Sequence, residues 1–190
     1  MSDAKVKEYI SDAHSNNIFL PSRTIFLVGD IDEGKHLEVL KNLHILDQYE
    51  GNVTIYINSE GGEVASGFAI YDAIKAMKCY VRGIVNGQAS SIASVILQAC
   101  DSRLITPNSF VMIHEGNDGT INATRTIQKQ WAEFDQHNHN KCVDIYLSKI
   151  KEKRKRFSKN DLETMLKTDT ILKPEEAVKL GLVDEIINVI

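Results

Sequence analysis

Two serines, a histidine and a glycine pair stand where they could carry out acyl transfer. The stretch Asn86-Gly-Gln-Ala-Ser-Ser-Ile-Ala-Ser94 follows an apolar, partly β-branched run, Cys79-Tyr-Val-Arg-Gly-Ile-Val85, and precedes the small and apolar run Ala93 to Cys100. It reads as a turn from a strand into a helix. Ser90 or Ser91 then sits at a helix N-terminus, where the first amides lack internal partners and the dipole favours negative charge, so an oxyanion on a substrate carbonyl could be held there. By default a serine in such a turn is only a helix cap. Two more stretches supply the missing chemistry. Val53-Thr-Ile-Tyr-Ile-Asn-Ser-Glu-Gly-Gly62 is a strand ending in a glycine pair whose amides can face a cleft with no side chain in the way. Pro107-Asn-Ser-Phe-Val-Met-Ile-His114 is a short apolar strand ending in the side chain most often used as a general base near neutral pH.

The elements that must position these residues alternate. Arg23–Gly29 is a strand, and Lys35–Tyr49 carries apolar residues at 37, 39, 40, 43, 45 and 46, one face of a helix. Val53–Ile57 is the next strand, Ser66–Met77 the next helix, Tyr80–Val85 a third strand, and a helix follows Ser91. Such β-α repetition favours parallel strands with helices outside. After His114 the pattern changes: Ile127, Trp131, Phe134, Cys142, Ile145, Tyr146 and Ile150 fall at helical steps in Thr124–Ile150, a long amphipathic helix. Residues 1–17 are polar and mixed, a flexible or axial segment with a short amphipathic piece at Val6–Ile10. Residues 18–190 read as one domain.

Composition narrows the class. A 190-residue chain with 43% hydrophobic and 25% charged residues can bury a sizeable core. Its formal net charge of -4 leaves no general basic footprint, and the positive run Lys149–Lys159 is broken by Glu152, so no nucleic-acid partner is expected. No signal-peptide layout and no apolar run of membrane-spanning length is present, which points to the cytoplasm and away from a membrane. Cys79, Cys100 and Cys142 are widely spaced and read as buried free thiols, while His137 and His139 fall on different sides of a helix. Neither a metal nor a cofactor is called for.

Ile57-Asn-Ser-Glu-Gly-Gly62, Gly87-Gln-Ala-Ser-Ser91, Pro107-Asn-Ser-Phe-Val-Met-Ile-His114 and Glu176-Ala-Val-Lys-Leu-Gly-Leu-Val-Asp184 together closely resemble the signatures of the Clp protease proteolytic subunit (ClpP) family, in order and at compatible spacings. The resemblance implies an α/β, ClpP/crotonase-like fold of repeated β-α units, with a handle helix over about residues 116–150 projecting to meet an opposite ring. It implies a serine endopeptidase that cuts unfolded polypeptides or short peptides inside a chamber of stacked heptameric rings. Ser91, four residues after Gly87, aligns with the nucleophile, His114 with the base and Asp169 with the aspartate that orients the base; the residues alone leave Ser90 and Ser91 open. Gly62 and Ile92 match the positions whose backbone N–H groups form the oxyanion hole. No Gly-x-x-x-x-Gly-Lys-Ser/Thr string is present, so any ATP dependence would come from a separate AAA+ unfoldase.

Several positions depart from the family pattern. Glu60 replaces a usual proline, Ala93 and Ser94 a usual Gly-Ala pair, and Thr168 and Thr170 flank Asp169 where charged residues are common. Thr54 stands where an aromatic often lines the unfoldase pocket, although Tyr56 is kept, and Met1–Asn17 lacks the apolar, Pro-containing sequence of the family's axial loops. Two other classes are compatible with parts of the pattern. One is a catalytically inactive or regulatory ring subunit, and the other a crotonase-type acyl-CoA enzyme, which also uses two backbone amides as an oxyanion hole.

Overall fold

The computed structural model describes residues 3–116 and 124–188. Helix α1 (Asp3–Asn16) and the two-residue strand β1 (Ile18–Phe19) lead into β2 (Thr24–Val28), α2 (Glu33–Leu46), β3 (Val53–Ser59), α3 (Val64–Lys75), β4 (Val81–Ser90) and α4 (Ile92–Leu97). Then come β5 (Ser102–Ile105), β6 (Phe110–Ile113), α5 (Arg125–Lys153), α6 (Lys159–Leu166), β7 (Thr170–Leu172), α7 (Pro174–Leu180) and β8 (Glu185–Ile186). The expected β-α alternation is present, and the fold is a mixed α/β one. The helical piece expected at Val6–Ile10 is part of the longer α1, whose Tyr9 ring stands edge-on to Phe19, 6.1 Å between centroids.

One sheet runs β1-β2-β3-β4-β5-β8, antiparallel between β1 and β2 and parallel thereafter. Local sequence explains the pieces. In β3 the residues Val53, Ile55, Ile57 and Ser59 alternate into the core, the period of a strand with one face covered. Asp32 starts α2 by accepting a 2.7 Å bond from the Lys35 amide, and Val39, Leu43 and Leu46 form the stripe that packs on the sheet.

Strand β4 differs from the sequence expectation, because it continues through Gln88 and Ala89 to Ser90 where the local residues signal a turn. Ile57 pairs with Val85 but Ser59 pairs with Ala89, so β4 carries two extra residues, Asn86 and Gly87. Gly87 has φ +115°, and a Cβ there would lie 2.4 Å from Asn58 Oδ1, which leaves room for glycine alone. The Gly87 amide donates to Ser109 Oγ at 2.7 Å and the Gln88 amide to Asn58 Oδ1 at 3.2 Å. This bulge lets one strand serve two neighbours: Arg82–Val85 pair with β5, and Gln88–Ser90 pair with β6.

Behind β4, α4 is buried along its whole length. Gly67 in α3 permits this, since a Cβ there would come within 2.1 Å of Ile92 Cγ1. The long helix α5 follows the expected Thr124–Ile150 segment, with Thr124 as its N-cap. Its second half buries Val143, Tyr146 and Ile150, whereas Ile127, Trp131 and Phe134 in the first half are 42%, 47% and 49% exposed. Between Gly116 and Thr124, the start of the expected 116–150 handle segment lies outside the described residues. Among the described residues no helix is long and apolar enough to cross a membrane.

Candidate active site

Strand β6 brings the three predicted side chains together. On one flank its Met112 pairs in parallel with Ser90, and the Met112 carbonyl accepts the Ser91 amide at 2.9 Å. On the other flank β7 runs antiparallel, with Ile113 opposite Thr170. His114 follows Ile113 and Asp169 precedes Thr170, so continuing the register sets the imidazole against the carboxylate. The Glu115 amide, bonded to the Leu166 carbonyl at 2.7 Å, fixes the chain just past His114.

The resulting contacts are short. Ser91 Oγ lies 2.8 Å from His114 Nε2, and His114 Nδ1 lies 3.0 Å from Asp169 Oδ1. His114 is about one-fifth exposed and Asp169 mostly exposed. Ser91 has φ +54° and ψ -130°, a conformation that costs a non-glycine residue about 1 to 3 kcal/mol. As N-cap of α4, Ser91 makes no capping bond with its side chain, so the default role of a serine in this turn does not hold here. Ser90 is turned inward instead, buried and donating to Gln88 Oε1 at 3.0 Å.

The two predicted backbone donors sit beside this turn. A parallel bridge joins Ile31 to Gly62, with the Ile31 amide donating to Gly61 at 2.8 Å and the Ile31 carbonyl accepting from Glu63 at 2.7 Å. In that arrangement the N–H of Gly62 faces away from Ile31. Gly62 has φ +147°, and an added Cβ would lie 2.3 Å from the Ile31 carbonyl oxygen. Ile92 is the first residue of α4, so its amide has no acceptor within the helix. Gly61 packs the loop onto the turn: a Cβ there would fall 2.7 Å from Ser91 Cβ and 3.3 Å from the Ile92 nitrogen.

Other departures from the family pattern have local explanations. The Thr170 hydroxyl donates to the Met165 carbonyl at 2.6 Å and closes the end of α6. Thr168 and Glu60 are exposed. The cysteines are free: burial pushes the Cys100 thiol up to about 12 and the Cys142 thiol up to about 11, which makes both poor nucleophiles. Among the described residues no cluster of three or more His, Cys, Asp or Glu could hold a metal ion.

Gly67, Ser94 and Tyr146 support the site and were not singled out for it from sequence. A glycine inside a helical pattern is the kind of signal that marks Gly67. Nothing in the spacing of Ser94 and Tyr146, 52 residues apart, foretold that their hydroxyls meet.

A serine on a strained turn between strand and helix, with an imidazole and a carboxylate in line behind it, is the arrangement of a serine hydrolase built on an α/β sheet. The model of the family described as Clp protease matches residues 7–189, and the chain belongs to that family of peptidases. It is 34% identical over 173 residues to the ATP-dependent Clp protease proteolytic subunit of Deinococcus radiodurans, covering 89% of this chain and 82% of that protein. It is also 34% identical over 175 residues to the ATP-dependent Clp protease proteolytic subunit 1 of Protochlamydia amoebophila, with the same coverage, 89% and 82%.

Proposed function

We propose that this protein is a serine endopeptidase in which Ser91 attacks the scissile carbonyl while His114 accepts the serine proton and returns it to the leaving amine. The 2.8 Å approach of Ser91 Oγ to His114 Nε2 is the observation that carries this reading. Asp169 on Nδ1 holds the ring in the tautomer that leaves Nε2 free to accept and stabilises the imidazolium once formed. The Gly62 and Ile92 amides bind the oxyanion of the tetrahedral intermediate. Each such donor is worth roughly 3 to 4 kcal/mol of transition-state stabilisation. The substrates are unfolded polypeptides or short peptides, and cleavage takes place inside a chamber of stacked seven-membered rings joined through α5.

A separate ATPase feeds longer chains. Its docking place is a groove of about 640 Å³ over β2, β3 and β4, where the Phe26 and Tyr56 rings stack 5.9 Å apart beside Thr54 and Ile84. The acyl-CoA and inactive-subunit readings have no observation in their favour, whereas the peptidase family and the 2.8 and 3.0 Å spacings along Ser91, His114 and Asp169 support the peptidase reading.

Ser91→Ala tests the mechanism directly. The variant should fold normally and lose peptide hydrolysis by roughly four to six orders of magnitude, whereas Ser90→Ala retains most activity, because Ser90 faces Gln88 and not His114. Peptide turnover by Ser91→Ala at the parent rate refutes the assignment.

A further inference from the structure

We infer that Tyr146, through Ser94, is a positioning residue for the nucleophile turn and ties α5 to the catalytic centre. This inference rests on the peptidase reading and adds to it a residue from a distant helix. The strained Ser91 backbone needs something to hold it, and its carbonyl is the held point. That oxygen accepts the Ser94 amide at 3.0 Å and the Ser94 hydroxyl at 2.7 Å, with the Tyr146 hydroxyl at 3.4 Å.

Counting donors sets the direction of the chain. Ser94 has one hydroxyl proton, and it goes to the Ser91 carbonyl. The 2.6 Å contact between Ser94 Oγ and Tyr146 Oη is therefore made with the tyrosine proton. Burial pushes the Tyr146 phenol up, so that it stays a donor at every working pH. Both hydroxyls are buried, where losing one partner strands the other. The chain continues inward, since Gln98 donates to the Ser94 carbonyl at 2.9 Å and accepts from Arg103 at 2.8 Å.

Two consequences follow for the chemistry. Rotation of the peptide that carries the Ser91 carbonyl would turn the Ile92 amide with it, since the two belong to one peptide group, and would change ψ at Ser91, the residue that carries Oγ. The Tyr146–Ser94 pair therefore sets nucleophile and oxyanion donor together, and its loss acts on the chemical step and not on substrate binding. Because Tyr146 sits on the same helix as Trp131, displacement of the outer part of α5 reaches the nucleophile through this bond.

Tyr146→Phe and Ser94→Ala are the variants to compare with the parent, using kcat and KM on a short fluorogenic peptide, the rate of labelling by a fluorophosphonate, and thermal melting. Tyr146→Phe should lower kcat and the labelling rate together by about tenfold with KM within about twofold, the pattern of an interaction felt in the transition state. Ser94→Ala should lower both at least as much, because it removes the direct 2.7 Å bond to the Ser91 carbonyl and leaves only the Tyr146 hydroxyl, 3.4 Å away, to replace it. The double variant should lose less than the product of the two single effects, since both act through one carbonyl. A folded Tyr146→Phe or Ser94→Ala protein that melts lower yet labels and turns over at the parent rate overturns the positioning role and leaves the peptidase reading intact. A parent protein that fluorophosphonate does not label sinks both.

Discussion

At the scale of single residues, the site depends on side chains too short to tolerate displacement. A hydroxyl 2.8 Å from an imidazole nitrogen can give up its proton only while that nitrogen is unprotonated. Peptide hydrolysis should accordingly rise as the pH goes from mildly acidic to neutral and then level off. Initial rates on a short peptide, under conditions where chemistry limits turnover, check this; a rate flat across that interval speaks against His114 as base. These residues were legible in the sequence to different degrees. The strand-end histidine and the glycine pair announced themselves by type and place, but Ser90 and Ser91 could not be separated by any local property, since both are small hydroxyls in the same turn. What separates them is the end of β4: Ser90 is its last residue, buried and bonded to Gln88, whereas Ser91 leaves the strand with φ +54° and sets its Oγ against His114. Asp169 was legible only by alignment with a family motif, because an exposed aspartate near a helix end has many ordinary uses.

At the scale of elements, the sequence pattern marks β2, β3, the first half of β4, β6 and the helices α2 to α5 but not β1, β5, β7, β8, α6 or α7, and the early end it gives β4 has a definite cause. Asn86-Gly87 is a strong turn signal, yet the glycine serves a bulge inside a continuing strand, with Ser109 and Asn58 supplying partners from other elements. No window of local sequence contains those partners. The same holds for the bond that fastens the C-terminal elements. Arg103 in β5 is buried and reaches Asp184, just before β8, through Nε at 3.2 Å, and also bonds the Gly181 carbonyl at 3.0 Å. Burial raises the Asp184 carboxyl, but the hydrogen bonds and charge of Arg103 outweigh that and hold it below the usual carboxylate range. A carboxyl depressed in the folded state contributes stability above its unfolded value, near 3.9, and loses it as the pH falls through the lower folded value. Asp184→Asn should destabilise the protein at neutral pH by about 2 kcal/mol, less than the loss typical of a fully buried pair because the carboxylate is 37% exposed and Glu152 stands 3.9 Å from Arg103. The gap between parent and variant should narrow as the pH drops below about 4. Urea unfolding midpoints across that range provide the measurement, and a pH-independent gap would count against this ion pair as its source.

At the scale of the whole molecule, α5 is the element that the other described residues leave partly uncovered. Its 29 residues are buried at Val143, Tyr146 and Ile150, but the first half presents Ile127, Trp131 and Phe134 to solvent. Trp131 and Phe134 meet edge to face at 5.9 Å, one turn apart on the same stripe. An apolar stripe of this kind on a polar helix is expected to be covered, and a facing copy of the same helix would cover it by a twofold contact in which each stripe meets itself. Trp131 lies fifteen residues from Tyr146, about 22 Å along the helix, so a contact made at the stripe can steady the part of α5 that touches the nucleophile turn. Replacing Trp131 and Phe134 with glutamate should therefore lower the native mass of the assembly about twofold, from a double ring to a single one. It should also reduce peptide hydrolysis, although neither residue is near Ser91. Native mass spectrometry and peptide turnover on the same preparation test both halves of this expectation: an undiminished mass removes the stripe from the interface, and a parent protein that is monomeric and fully active at working concentration rules out the chamber.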